Sequence, residues 1–198
     1  MGKNIEKFII ATHNKHKIVE FERILKPLGI GVVTADLPEV EEDGATFEEN
    51  ALKKAESAFL ATGMCAVADD SGLMVDYLNG APGVYSARFA GPNATDADNN
   101  QKLLAQLAGV PEEKRTARFV SAIACVGEGI RFTVKGFCEG KIAFAPQGDE
   151  GFGYDPLFIS EKGCFGLLPG EVKDSISHRG AALLKFKERL EEILNAEQ

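Results

Sequence analysis

The sequence lacks any apolar run approaching the roughly 20 residues that span a bilayer. Its start, MGKNIEKFIIATHN, offers only Phe8 to Ala11 as an apolar stretch, too short for the hydrophobic part of a secretion signal. A cytoplasmic protein without a membrane partner is therefore expected. Basic charge is not in excess either: 22 Lys and Arg face 30 Asp and Glu, a formal net charge of −8. That balance argues against general nucleic-acid binding, which draws its affinity from clustered cations. It leaves room for one small phosphorylated ligand, which needs only a local cluster. Cysteine is sparse: Cys65, Cys125, Cys138 and Cys164 form no CxxC pair, and none sits beside a histidine. Reduced thiols are expected rather than a zinc site or a disulfide frame. Repeats, low-complexity tracts and long linkers are also missing. What remains is ordinary globular composition, 198 residues with 44% hydrophobic and 26% charged. Residues 1–198 read as one domain, long enough to bury a core without staples.

Residues 6–11 read as a short buried strand, followed by the polar turn Thr12-His13-Asn14-Lys15. Ile18, Phe21, Leu25 and Leu28 then fall on one helical stripe, and Ile30 to Thr34 make another strand. Strand, turn, helix and strand open an α/β protein. An acidic loop over residues 36–45 leads to Thr46-Phe47-Glu48-Glu49, whose S/T-x-x-E form is that of a capping box. The helix it starts should run to about Thr62, with Gly63 as its stop. Cys65 to Ala68 read as a short strand that ends at Asp69-Asp70-Ser71-Gly72. Asn79-Gly80-Ala81-Pro82-Gly83 is a turn cluster. Residues 96–108 read as a third helix, with Leu103, Leu104 and Leu107 inward. Two apolar segments flank Gly127-Glu128-Gly129, a hairpin signal and so antiparallel pairing. A glycine-rich loop, Gly148 to Pro156, precedes a strand at Leu157-Phe158-Ile159. A last helix spans about Ser177 to Leu194, with Leu183, Phe186, Leu190 and Ile193 on its stripe.

Five places could carry chemistry. The turn from Thr12 to Lys17 sits at a helix N-terminus, where backbone N–H groups and the helix dipole attract phosphate. Thr12 and Asn14 can cap, Lys17 can add full charge, and the same pattern also fits an ordinary capped turn. His13 and His16 could share a helix face as metal ligands, but no third ligand is near in sequence. Asp69 and Asp70 are costly after an apolar strand unless something cationic meets them. One could hold Mg²⁺ and the other take a proton from an attacking water, or the four residues could be a β-turn. Glu41 and Glu42 could complete a metal shell or simply be solvated, and one of Lys53 and Lys54 could face phosphates. Phe152 and Tyr154, held between glycines, suit a flat partner, with Asp155 as acceptor for a ring N–H; they could equally anchor the loop in the core. Lys173 and Ser177-His178-Arg179-Gly180 place cations at a helix start, the unfavourable end of its dipole, which hints at an anion or acceptor-rich ligand.

The order of these motifs resembles that of the inosine/xanthosine triphosphate pyrophosphatase family. The matching stretches are Ala11-Thr12-x-Asn14-x-x-Lys17, Thr46-Phe47-x-Glu49-Asn50-Ala51, Ala68 to Leu73, Gly80 to Arg88, Phe152 to Pro156 and Ser177 to Gly180. The resemblance implies an α/β fold with an elongated, mixed, partly antiparallel central sheet flanked by helices, two lobes with a cleft between them, and a homodimer. It implies Mg²⁺-dependent hydrolysis of non-standard purine nucleoside triphosphates (ITP, dITP, XTP) to the monophosphate and pyrophosphate. Carried over by position, Thr12, His13, Asn14, Lys15, His16 and Lys17 grip the triphosphate. Glu42 and Asp70 bind the metal, Asp70 also accepts a proton, and Lys54 is an active-site lysine. Ser71 contacts substrate, while Phe152, Gly153, Tyr154, Asp155, Lys173, His178 and Arg179 form the base and sugar-phosphate pocket. His13 and His16 depart from the family, which often has glycine there, and glycine permits a left-handed backbone. Two alternatives stay open: a pyrophosphatase for other modified or pyrimidine triphosphates, and a sensor that binds nucleotide without turnover.

Overall fold

The computed structural model describes residues 7–196. Its elements are β1 (Lys7–Ile10), α1 (Lys15–Leu25), β2 (Gly31–Val33), α2 (Phe47–Thr62), β3 (Ala66–Val75), α3 (Asp96–Gln106), β4 (Thr116–Gly127), β5 (Ile130–Ile142), β6 (Phe158–Ser160), β7 (Gly163–Cys164), α4 (Gly170–Ile176) and α5 (His178–Ala196). Glu6, the first residue of the strand expected over 6–11, lies outside the described residues. The strands form one sheet in the order β2-β1-β3-β4-β5-β6-β7. β1 runs parallel to β2 and β3, with Phe8 opposite Val32 and Ile10 opposite Val67. β4 and β5 are neighbours joined only by Glu128-Gly129, and so short a link returns the chain antiparallel. β6 is antiparallel to both β5 and β7. The sheet is thus mixed and helix-flanked, as expected.

The chain divides into two compact units. One comprises the residues up to Asp70, Ser121–Gly136 and those from Arg179 onward; the other comprises Ser71–Val120 and Phe137–His178. In the first unit, α1 buries Phe21 and Leu25, and α5 buries Ala182, Leu183, Phe186 and Leu190 with Phe8 and Val67. The Phe186 ring meets Phe8 edge-on at 5.7 Å and stacks on Phe132 at 5.7 Å. Each such aromatic burial stabilises by roughly 2–3 kcal/mol. In the second unit the core gathers around Phe119, whose ring lies 4.6 Å from Phe158 and 5.9 Å from Phe165. Leu73, Leu103, Leu107 and Tyr154 pack into the same cluster.

Three expectations need correction. The strand does not end at the acids: β3 runs ten residues, Ala66–Val75, straight through Asp69-Asp70-Ser71-Gly72, so the β-turn alternative falls. Cations and an amide that meet both carboxylates, described below, let the extended backbone continue. The Thr46 box is opened by one residue: Thr46 accepts from Glu49 N, but the Glu49 carboxylate reaches back to Ala45 N, 2.7 Å away, and not to Thr46 N. Ahead of the last helix stands a further short helix, α4, which carries Lys173; Ser177, in extended conformation, separates it from α5.

Arg115 closes the second unit without a carboxylate. It is 2% exposed and donates to the carbonyls of Ile142, Leu107 and Ala143 at 2.8, 2.9 and 2.8 Å, with its guanidinium over the Phe144 ring. Removing it leaves several buried acceptors without donors. Arg115→Leu should lower the unfolding free energy by about 3 kcal/mol, read as a shift of the urea midpoint.

Candidate active site

Asp69 and Asp70 are consecutive strand residues, so their side chains leave opposite faces of β3. Asp69 shares its face with Val67, which packs among side chains of α1 and α5. There the carboxylate, with no exposed surface, meets Lys17 of α1 at 3.2 Å and Arg179 of α5 at 3.0 Å. A second acid, Glu20, stands one turn beyond Lys17 and also takes the Arg179 guanidinium. Two acids and two cations leave this buried group neutral. Burial alone would raise the Asp69 carboxyl, but Lys17, Arg179 and Lys54 outweigh it and hold the group below the usual carboxylate range. Burial lowers the Lys17 ammonium, with Lys54 and Arg179 adding to the effect against Asp69.

Asp70 faces α2. Its Oδ2 accepts from the Asn50 amide at 2.9 Å, and its Oδ1 lies 4.0 Å from Lys54 Nζ. Lys54 in turn holds Glu42 at 2.5 Å. The other half of the Asn50 amide accepts from Gly44 N at 2.8 Å, which ties the acidic loop to the strand. Gly44 must be glycine for this approach, since a Cβ there would stand 2.5 Å from Asn50 Oδ1. Burial raises the Asp70 carboxyl, against Lys54, Lys17 and Asn50 and with help from Glu42. Lys53 points elsewhere and pairs with Asp43 in solvent. Glu42 and Asp70 against Lys54 leave one net negative charge and only oxygen donors. That set fits a hard divalent cation such as Mg²⁺, which takes one or two carboxylates and completes its shell with water and phosphate. Among the described residues no group of three or more His, Cys, Asp and Glu gathers, so the His13/His16 alternative gains no third ligand.

The turn before α1 is a capped one. Asn14 Oδ1 accepts from His16 N at 3.0 Å and Lys17 N at 3.3 Å, and Thr12 Oγ1 accepts from Asn14 N at 3.2 Å. His13, Lys15 and His16 are exposed. Among the described residues Asn79 alone of the non-glycines has a left-handed φ, so His13 and His16 cause no backbone strain.

The second unit holds the aromatic loop. Asp155 is 2% exposed and accepts from Phe152 N at 2.9 Å and Lys173 Nζ at 2.7 Å. It therefore secures the loop itself instead of standing open for a ring N–H. Gly151 has φ +76°, and a Cβ on it would lie 2.0 Å from Asp155 Oδ2. Lys173 Nζ sits 5.0 Å from the Phe152 ring centre and 5.6 Å from that of Phe165. The two loop aromatics part company: Tyr154 is buried, donating to Ser86 O at 2.7 Å, while Phe152 is only half-buried. Of the two loop aromatics, Phe152 is the more exposed. His178 stacks on Phe119 at 4.7 Å. Ser71 is half-buried on β3.

Residues 8–189 match the Ham1 family. The chain is 52% identical to the dITP/XTP pyrophosphatase of Geobacter sulfurreducens over 191 residues, 93% of this chain and 96% of that one. It is also 52% identical to the dITP/XTP pyrophosphatase of Desulforamulus reducens, over 94% of this chain and 96% of that one. A HAM1 protein from Coxiella burnetii superposes with a TM-score of 0.84 at 40% identity, covering 94% of this chain and 98% of that one. The chain belongs to the Ham1 family.

In this Ham1 chain the anion expected beside the cations at the start of the last helix is supplied from within. The Arg179 side chain is 1% exposed and already donates to Asp69 and Glu20, so it offers no free donor to a ligand here. Three residues of the site went unassigned on sequence. Glu20 follows Lys17 by one helical turn, and an acid on the apolar side of α1 was the available signal. Asn50 belongs to the Thr46-Phe47-x-Glu49-Asn50-Ala51 motif, and Gly44 to the acidic loop. Arg179→Leu strips the partner from two buried acids. It should cost about 3–5 kcal/mol of stability, measured by denaturant unfolding.

Proposed function

We propose that this chain hydrolyses the non-standard purine nucleoside triphosphates dITP, XTP and ITP to the monophosphate and pyrophosphate. The observation that carries this is the group of Asp70, Glu42 and Lys54, with Lys17 near enough to act on Asp70 electrostatically, in a chain half identical to dITP/XTP pyrophosphatases over nearly its whole length. The triphosphate is assigned to Lys17 and Lys54 and the base to Phe152. Lys17 and Lys54 draw phosphate oxygens, and the capped N-terminus of α1 adds its N–H groups. Thr12, Asn14 and the exposed His13, Lys15 and His16 border that turn.

Glu42 and Asp70 would hold Mg²⁺, which when bound neutralises charge on phosphate oxygens. Asp70, raised by its burial, is suited to accept the proton of the attacking water. The water oxygen bonds to the α-phosphorus, the α–β anhydride bond breaks, and pyrophosphate departs with the bridging oxygen. Asp69 serves differently: bound to Lys17 and Arg179, it fixes the lysine that meets the phosphates. Phe152 stacks on the base. His178 donates to the oxygen at ring position six, which adenine replaces with an amino donor, and Ser71 and Lys173 line the sugar-phosphate side. Of the two donors expected there, His178 can be offered without breaking the Arg179 ion pairs.

Among the described residues no helix is long and apolar enough to cross a membrane. The same reading makes the chain a cytoplasmic homodimer that acts on a small nucleotide, without nucleic acid or membrane as partner.

Two measurements test it. Pyrophosphate release across a nucleotide panel with Mg²⁺ should be about 10- to 100-fold more efficient on dITP and XTP than on ATP. Equal efficiency would refute the pocket, preference for pyrimidines would move the substrate class, and binding without release would make the chain a sensor. Asp70→Asn should lower turnover by about 100-fold or more at saturating Mg²⁺; near wild-type turnover would remove Asp70 as proton acceptor.

A further inference from the structure

The first turns of α3 are polar on the side that meets the aromatic loop. Thr95 caps the helix, accepting from Asp98 N at 3.2 Å, while Asp98 Oδ2 accepts from Thr95 N at 2.8 Å. On this locked start stand Asp96 and Asn100, four residues apart and so on one helix face. Both reach one residue of the loop. Asp96 Oδ2 accepts from Gly153 N at 2.7 Å, and Asn100 Nδ2 donates to Gly153 O at 2.9 Å. Gly153 therefore has both of its backbone polar groups held from α3. It follows Phe152 directly, and φ at Gly153 is +61° and at Gly151 +76°, so the ring sits between two left-handed hinges. From the other side Phe152 N is held by Asp155.

Such a loop, if unheld, would lose conformational freedom each time a ligand stacked on it, and that loss would weaken binding. The fold itself has little need of the clamp. Asp96 is exposed, and the loop is already anchored in the core by the buried Tyr154. Asn100 also gives something up: its Oδ1 is buried with no hydrogen bond among the described residues, because the amide turns its nitrogen to Gly153. An apolar side chain of similar size would avoid that cost, so a gain elsewhere accounts for the amide.

We propose that Asp96 and Asn100 are positioning residues for base recognition, which preset the Phe152 face by clamping Gly153; the proposal rests on the function stated above. They act through the loop and not on the phosphates, so they govern affinity for the base and leave the chemical step alone.

The test compares kcat and KM for dITP, and inhibition by inorganic tripolyphosphate, which has no base. Asn100→Leu and Asp96→Ala should each raise KM by about three- to ten-fold, with kcat and the tripolyphosphate inhibition constant within two-fold of the parent. Asp96→Asn keeps an acceptor for Gly153 N and should retain the parent KM. The double variant Asp96→Ala/Asn100→Leu should fall short of the product of the two single effects, since both act on one residue. Asn100→Leu should keep the parent's thermal midpoint, which separates this role from a structural one. An unchanged KM in Asn100→Leu, a fall in kcat, or an equal weakening of tripolyphosphate would overturn the role while dITP cleavage by the parent stood. Failure of the parent to cleave dITP would overturn the function and this role together.

Discussion

Asp69 is the group on which the rest of the first unit depends. A carboxylate with no exposed surface in the middle of a strand is tolerated only where cations reach it. Lys17 and Arg179 do so from two different helices, and Glu20 balances the second of them. The arrangement fixes how α1 and α5 meet β3. It also holds Lys17 in place, so this buried cation is positioned by an ion pair that is itself structural. Because consecutive strand residues face opposite ways, Asp69 is met by Lys17 and Arg179 while Asp70 turns toward Asn50 and Lys54 of α2.

The second unit solves a different problem. Its loop, with left-handed glycines on either side of Phe152, has to be held in one conformation. Burying Tyr154, pinning Phe152 N to Asp155 and holding Gly153 from α3 together achieve this with polar contacts at the loop and apolar ones beneath it. The chain passes between the units at four places, and two of them, Asp70/Ser71 and His178/Arg179, lie inside motifs. In each motif one residue belongs to the first unit and its neighbour to the second.

Much of this was legible before any coordinates. Gly63 ends α2 in a left-handed conformation because the sequence punctuates a clear helical stripe there. Glu128-Gly129 turns the hairpin for the same local reason. That two adjacent acids require a cation was also legible, since it follows from solvation alone. Which cation answers was not: Arg179 lies 110 residues from Asp69, and no local pattern spans that distance. The continuation of β3 through the acids was hidden by the same gap, because polar residues after an apolar run read as a turn until their partners are known. α4 escaped notice because GEVKDSI, at seven residues, is too short to show a stripe. Asp96 and Asn100 escaped because polar residues on an exposed helix face look like solvated surface until Gly153 is placed against them.

Asn50 spends its oxygen on the loop that bears Glu42 and its nitrogen on Asp70. Rotating that side chain by half a turn would set oxygen against carboxylate and nitrogen against N–H, two repulsions at once. The acidic loop and the strand are therefore tied through a single carboxamide, so turning Asn50 would loosen the segment that bears Glu42 and the one that bears Asp70 together.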